Sequence, residues 1–182
     1  MKKIIALLFV VLVAGCIGED AFHRNLGPNT LTFRANLFEA EKVEMNDEEL
    51  AVKTLLSPDM MWNTLTIAFV PNETENSYYA ATGSEIAKYI FIYRYVFNEF
   101  NIVPEVQTIP VENATEAAKL VNSTNIVILM LGPSQTNRTA VTVYENFIVL
   151  EGARFHEKRS YTDLDLAMGK LLLVLLKAAQ TS

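Results

Sequence analysis

Residues 126–131 read IVILML and run directly into Gly132-Pro133-Ser134-Gln135-Thr136. An unbroken apolar run of strand length, rich in branched side chains and closed by Gly-Pro, describes a strand buried on both faces, the signature of a parallel sheet. A second run of this kind, LTIAFV at 65–70, ends at Pro71. The sequence between them predicts a long helix from Ser77 or Thr82 to Phe100, with Gly83 blurring its start. A strand over 106–111 and a short helix over 114–121 follow. Strands alternating with helices imply a parallel sheet covered on both faces.

Outward from this centre, 31–37 alternates apolar with polar residues and reads as a first strand. Asn46 with Glu49 signals a short helix through Leu56, stopped by Ser57-Pro58. Downstream, 141–144 and 147–150 flank Glu145-Asn146, a two-residue hairpin turn in which Asn tolerates positive φ. Thr162 caps a last helix over 163–179, with Asp163 and Asp165 in the first turn where the helix dipole favours carboxylates. The expected fold is therefore α/β: a three-layer Rossmann-like sandwich, mostly parallel, with an antiparallel hairpin near the C-terminal end.

The chain begins with Lys2 and Lys3, an uncharged stretch over 4–17, and Val13-Ala14-Gly15-Cys16, which ends on the sole cysteine of the 182 residues. A basic n-region, a short apolar h-region and small residues before a cleavage point describe an export signal. Fourteen residues fall short of the ~20 needed to span a bilayer. Val13-Ala14-Gly15-Cys16 resembles the lipobox of bacterial and archaeal lipoproteins. The resemblance implies cleavage before Cys16 and lipid on its sulfur, and it covers the first sixteen residues only. It divides the chain into a signal peptide at 1–15, a lipid-anchored tether at 16–29 and a single α/β domain at 30–182. It also places the protein at the cell membrane, facing away from the cytoplasm.

Removing 15 of the 182 residues leaves 167, enough for one core, and takes two lysines from a chain of formal charge −6. The exported domain is acidic, which argues against nucleic acid, whose binding rests on Lys and Arg neutralising phosphates. Asn72, Asn113, Asn122 and Asn137 each begin an Asn-x-Thr tripeptide. All four are candidate N-glycosylation sites. A lipobox beside such sites fits an archaeal envelope. Asn113, three residues before Glu116, also reads as a helix N-cap.

Catalytic chemistry has little to draw on. With two histidines in the chain, a histidine zinc site or a Ser/His/Asp triad has few candidates beyond His156. Thr82 and Glu85 read as a capping box, and Asp163 with Asp165 as helix-end acids. No cofactor and no metal are expected. The loop after 126–131, with Ser134 and Gln135, and the loop after 65–70, with Glu73, Glu75, Tyr78 and Tyr79, leave the same edge of a parallel sheet. There they can form a polar pocket with aromatic walls. Phe91, Ile92 and Tyr95, outside the apolar stripe of the long helix, read first as covered by another segment and second, with Leu173 and Leu176 on the polar side of the last helix, as a candidate surface for a protein partner or a second copy.

Three readings follow from this pattern. The first is a non-catalytic envelope or binding lipoprotein, and the second a small-solute or glycan receptor built on the loops after 65–70 and 126–131. The third is a hydrolase working with carboxylates such as Glu73, Glu75, Asp163 and Asp165.

Overall fold

A computed structural model describes residues 21–58, 64–97, 104–156 and 159–181; the expected signal peptide at 1–15, Cys16 and Phe100 lie outside them. The chain is mixed α/β, organised on a six-stranded, mostly parallel sheet. In chain order the elements are β1 (His23–Leu26), β2 (Asn29–Thr32), α1 (Leu37–Ala40), β3 (Glu44–Met45), α2 (Glu48–Leu55), β4 (Thr64–Phe69), α3 (Asn76–Gly83), α4 (Ile86–Phe97), β5 (Glu105–Pro110), α5 (Ala114–Lys119), β6 (Asn125–Leu131), β7 (Ala140–Tyr144), β8 (Phe147–Glu151) and α6 (Asp163–Thr181).

The two apolar runs lie side by side at the sheet centre. The strand order is β3-β7-β8-β6-β4-β5, with β4 parallel to both β5 and β6 and β8 parallel to β6. Only the β7–β8 pair is antiparallel within the chain of contacts, joined by the Glu145-Asn146 turn with Tyr144 opposite Phe147. The hairpin expectation holds, but the positive φ of 38° belongs to Glu145 rather than to Asn146. Asn146 instead donates its side-chain amide to the Asn122 carbonyl at 3.0 Å.

The period-two alternation of β4 and β6 sorts their side chains onto two faces. Leu65, Ile67, Ile126, Ile128 and Met130 face the main core, which also holds Tyr89, Ile92 and Tyr93 of α4 and the apolar positions of α6. Ala68, Val127 and Leu129 face a smaller core under α5, with Val111 and Ala117. Coverage of the two faces is thus unequal. The main face is packed by α6 and by α2 and α4 against it, whereas α5 is the one described helix on the other.

The last helix is the centre of the molecule. Leu171, Leu172, Leu175 and Leu176 are at most 2 % exposed, and each fully buried leucine contributes about 1.5–3 kcal/mol. Even Lys170 is drawn in, its Nζ donating to Glu48 Oε1 at 2.6 Å. This overturns the reading of Leu173 and Leu176 as a partner surface: both are buried. Ile92 is likewise fully buried and Phe91 packs against the core. Tyr95 alone of that group is exposed, and its ring lies over Gly27, where a β-carbon would come within 2.9 Å of Tyr95 Cε2.

Four local expectations are corrected. The strand expected over 31–37 is β2, over Asn29–Thr32, and it follows and pairs with β1, His23–Leu26, in a hairpin turned by Gly27 at φ 58°. Residues from Ala21 onward therefore belong to the fold and not to a tether: Leu26 is fully buried, and Leu37 N–H donates to the Ala21 carbonyl at 2.6 Å. The long helix is two helices, α3 and α4, parted at Ser84-Glu85. The cap of α2 is Asp47, which accepts from Leu50 N–H at 2.8 Å. Asn46 exchanges two hydrogen bonds with the backbone of Val143 and so prolongs the β3–β7 pairing.

Candidate functional site

At the carboxyl edge of the sheet, the loop after β4 and the loop after β6 meet, as the sequence predicts for neighbouring parallel strands. Of the residues named there, Glu75, Tyr79, Ser134 and Gln135 are brought together. Glu75, 3 % exposed, accepts from Ser134 N–H (3.0 Å, Oε1), Ser134 Oγ (3.0 Å, Oε2) and the Tyr79 hydroxyl (2.7 Å, Oε2). The Tyr79 hydroxyl also lies 2.7 Å from Gln135 Oε1 and accepts from Gly132 N–H at 3.0 Å. Gln135 Nε2 donates to Ser134 Oγ. One phenol proton thus serves two acceptors. Burial and the Glu75 carboxylate hold the Tyr79 phenol well above its usual range, against an opposing contribution from the Gly132 N–H.

Glu73 and Tyr78 do not join them. Glu73 is exposed, and Tyr78 stacks on Phe155 with ring centroids 4.0 Å apart. The expected open pocket is instead a closed tie.

That tie is one of three on the same loop. Thr136 donates its hydroxyl to Glu151 Oε1 at 2.9 Å, and Glu151 also pairs with Arg138 at 2.5 Å. Thr139 donates its hydroxyl to Asp163 Oδ2 at 2.8 Å, and the other oxygen of Asp163 lies 2.6 Å from His156 Nε2. Glu75, Glu151 and Asp163 are all at most 8 % exposed. Three buried acids from three different elements each take a hydroxyl from Ser134, Thr136 or Thr139 and fasten the loop along its length. A buried carboxylate is costly without such donors, so the pattern has a structural cause.

Asp165 is committed in a similar way. It accepts from Thr162 N–H at 2.8 Å and from the Thr82 hydroxyl at 2.7 Å, with Arg34 Nε at 3.3 Å. Its own N–H donates to Thr162 Oγ1, completing the cap of α6. This corrects the capping-box reading of Thr82 and Glu85: Thr82 lies inside α3, and Glu85 accepts from Arg34 N–H and pairs with Lys88. Among the described residues no group of three or more His, Cys, Asp or Glu is arranged to hold a metal ion.

The candidate glycan sites differ in their surroundings. Asn72, Asn113 and Asn137 sit in the loops after β4, β5 and β6, while Asn122 is at the opposite edge beside the β7–β8 turn. Asn72 and Asn122 each accept both the N–H and the hydroxyl of their own Thr, at 2.8–3.0 Å. Asn113 is the N-cap of α5, accepting from Glu116 N–H at 3.0 Å, as its spacing predicts. Asn137 is exposed, but its Thr139 is committed to Asp163.

Sequence reasoning missed the cleft one strand over. Between α3 and the strands β4 and β5 lies a space of about 620 Å³, lined among the described residues by Ile67, Phe69, Tyr79, Gly83, Thr108 and Met130, with Asn76 and Ser84 near α3's ends. The signal that could have pointed to it is Gly83, a small residue on a helix face turned to the sheet.

Compared with protein-family models, curated protein sequences and solved structures, the chain matches none.

Proposed function

We propose that this is an extracytoplasmic lipoprotein, anchored through Cys16 at the outer face of the cell membrane, whose α/β domain is a non-catalytic envelope or binding module. The anchoring half rests on the lipobox-like Val13-Ala14-Gly15-Cys16. The non-catalytic half rests on one observation: the buried acids at the carboxyl edge are spent on holding a loop. Glu75, Glu151 and Asp163 each have a hydroxyl donor from that loop and its neighbours as partners. The hydrolase reading needs paired acids free to reach a substrate, and it gains no support from this arrangement.

Four residues, 17–20, separate Cys16 from Ala21, the first described residue, and the five Cα–Cα steps between the two span at most about 18 Å. On this reading the domain rides directly on the membrane, with the β1–β2 hairpin and α1 nearest to it. The architecture is a lopsided variant of the three-layer Rossmann-like sandwich, its second helical layer formed among the described residues by α5. Asn72 and Asn122, each paired with the hydroxyl of its own Thr, are the favoured glycan acceptors, with Asn137 last.

The deciding experiment is fractionation with peptide mass spectrometry in the native host. Wild-type protein is expected in the membrane fraction with lipid on Cys16, and Cys16→Ser in the soluble or uncleaved pool. Unmodified Cys16 in a chain that still carries residue 1 overturns the anchor.

A further inference from the structure

Two neighbouring strands of a parallel sheet part company at their carboxyl ends when their connections leave for opposite faces. That happens between β4 and β5. After β4 the chain rises to α3 and α4 on the main face, whose Tyr79, Tyr89 and Tyr93 join the core with Leu65 and Ile67. After β5 it drops to α5 on the other face, whose Ala117 packs with Ala68 and Leu129. In open α/β sheets this divergence is where a crevice forms and where ligands bind.

The cleft beside α3 lies along that divergence. Its floor is Ile67, Tyr79 and Met130, all at most 2 % exposed, and Phe69 lies with its ring centroid 5.6 Å from that of Tyr79. Its volume of about 620 Å³ falls within the ~300–1,000 Å³ of clefts that bury a small organic molecule. Gly83 stands at its border. A β-carbon there would sit in ordinary van der Waals contact with Met130 Cε at 3.7 Å and Ile67 Cγ2 at 4.0 Å, so alanine would fit and only a longer side chain would reach into the space.

No charged side chain is among the described lining residues. The two acids adjacent to lining residues in sequence are both engaged: Glu75 has both oxygens turned to Ser134 and Tyr79, and Glu85 accepts from Arg34 N–H and pairs with Lys88. The polar lining residues are Asn76, Tyr79, Ser84 and Thr108: the Tyr79 hydroxyl is turned to Glu75, Asn76 Oδ1 accepts from Asn72 N–H, and Ser84 Oγ donates to the Ala81 carbonyl. An ion placed here would lose its hydration without a counter-charge, at high cost. An apolar ring with one polar group loses little and covers apolar surface.

We propose that this cleft is a binding site for a small, neutral, largely apolar molecule of aromatic character. The site stands independently of the lipid anchor.

The test uses the full chain in lipid nanodiscs with ¹³C-methyl-labelled methionine, titrated with indole as a neutral aromatic probe. Met130 Cε borders the cleft, and Met168, fully buried in the core, is the internal control. The expected result is a saturable shift of the Met130 methyl with Met168 unmoved. Benzoate, a charged ring of similar size, should give no saturable shift. Gly83→Leu, which fills the space, should weaken indole binding roughly tenfold or more. Ala80→Trp, at an exposed lining position, is the second variant if Gly83→Leu does not fold. No Met130 shift, an equal shift of both methionines, or unchanged binding in a folded cleft-filling variant each overturns the proposal.

Discussion

Two gaps lie next to each other at the carboxyl edge of this sheet, one between β4 and β6 and the other between β4 and β5. The first is closed by hydrogen bonds among Glu75, Tyr79, Ser134 and Gln135, and the second is an apolar cleft. Tyr79 belongs to both. Its hydroxyl reaches Glu75 while its ring lines the cleft. The difference comes from where the chain goes next. The β6 loop turns back toward the hairpin within reach of three acids, whereas the chain after β5 makes one more backbone bond to β4, Val111 N–H to the Phe69 carbonyl at 2.9 Å, and then leaves for the opposite face. Polar residues at the end of a strand therefore do not define a binding site until the direction of the next element is known.

The contrast is broken most forcefully by Glu75→Ala. Removing the carboxylate leaves the Ser134 N–H and hydroxyl without their acceptor and the Tyr79 hydroxyl with Gln135 Oε1 alone, at a cost of about 2–4 kcal/mol. Denaturant unfolding should report that loss, with faster amide exchange in the 132–136 loop. Equal exchange in variant and wild type would show that the tie does not hold the loop.

The two glycines sharpen it next. A β-carbon at Gly132 would come within 2.4 Å of Glu75 Oε2 and 2.7 Å of the Tyr79 hydroxyl, whereas Gly83 has ordinary van der Waals room. Gly132→Ala should therefore destabilise by about 1–3 kcal/mol, and Gly83→Ala should leave stability unchanged or raise it by up to about 1 kcal/mol. Thermal unfolding of the pair gives the comparison directly, and the same sign for both would contradict the assignment of a tie and a space.

The smallest effect is in alkali. The Tyr79 phenol is raised in the fold, first by burial and then by Glu75, so the folded state favours the neutral form. Its contribution is complete below the unfolded phenol value near 10 and is lost as the pH climbs above it. Tyr89, raised by burial and by Tyr93, acts in the same direction. Above pH ~10 wild-type stability should fall by up to ~1.4 kcal/mol per pH unit for each such group. Tyr79→Phe should have a shallower slope there while being less stable at neutral pH, and an unchanged slope would remove Tyr79 from the account.

Much of the frame was legible because it rests on local patterns. The runs at 65–70 and 126–131 announce central strands, Glu145-Asn146 announces the hairpin, and Asn113 with Glu116 announces the cap of α5. The site was legible in part. That the loops carrying Glu75, Tyr79, Ser134 and Gln135 meet follows from parallel strands being adjacent. That they close on each other does not, since it depends on hydroxyls at 134, 136 and 139 finding acids from three distant segments. Leu173 and Leu176 were read as surface for a related reason. A helical stripe marks one buried face, but α6 is enclosed on several sides by α1, α2, α4 and the sheet, so almost every position along it is covered.

The sequence by itself carries the lipobox-like Val13-Ala14-Gly15-Cys16 on which the proposed anchor rests, the acidic charge, and the signs of a parallel α/β core with a hairpin after the last parallel crossover. Those are readings of composition, short-range spacing and period, which neighbouring residues fix among themselves. Only the tertiary structure decided that Asp163, Glu151 and Glu75 hold one loop, that the last helix is the centre of the core, and that space remains beside Gly83. Each of those depends on residues dozens of positions apart meeting in space, and on which face of the sheet each connection takes.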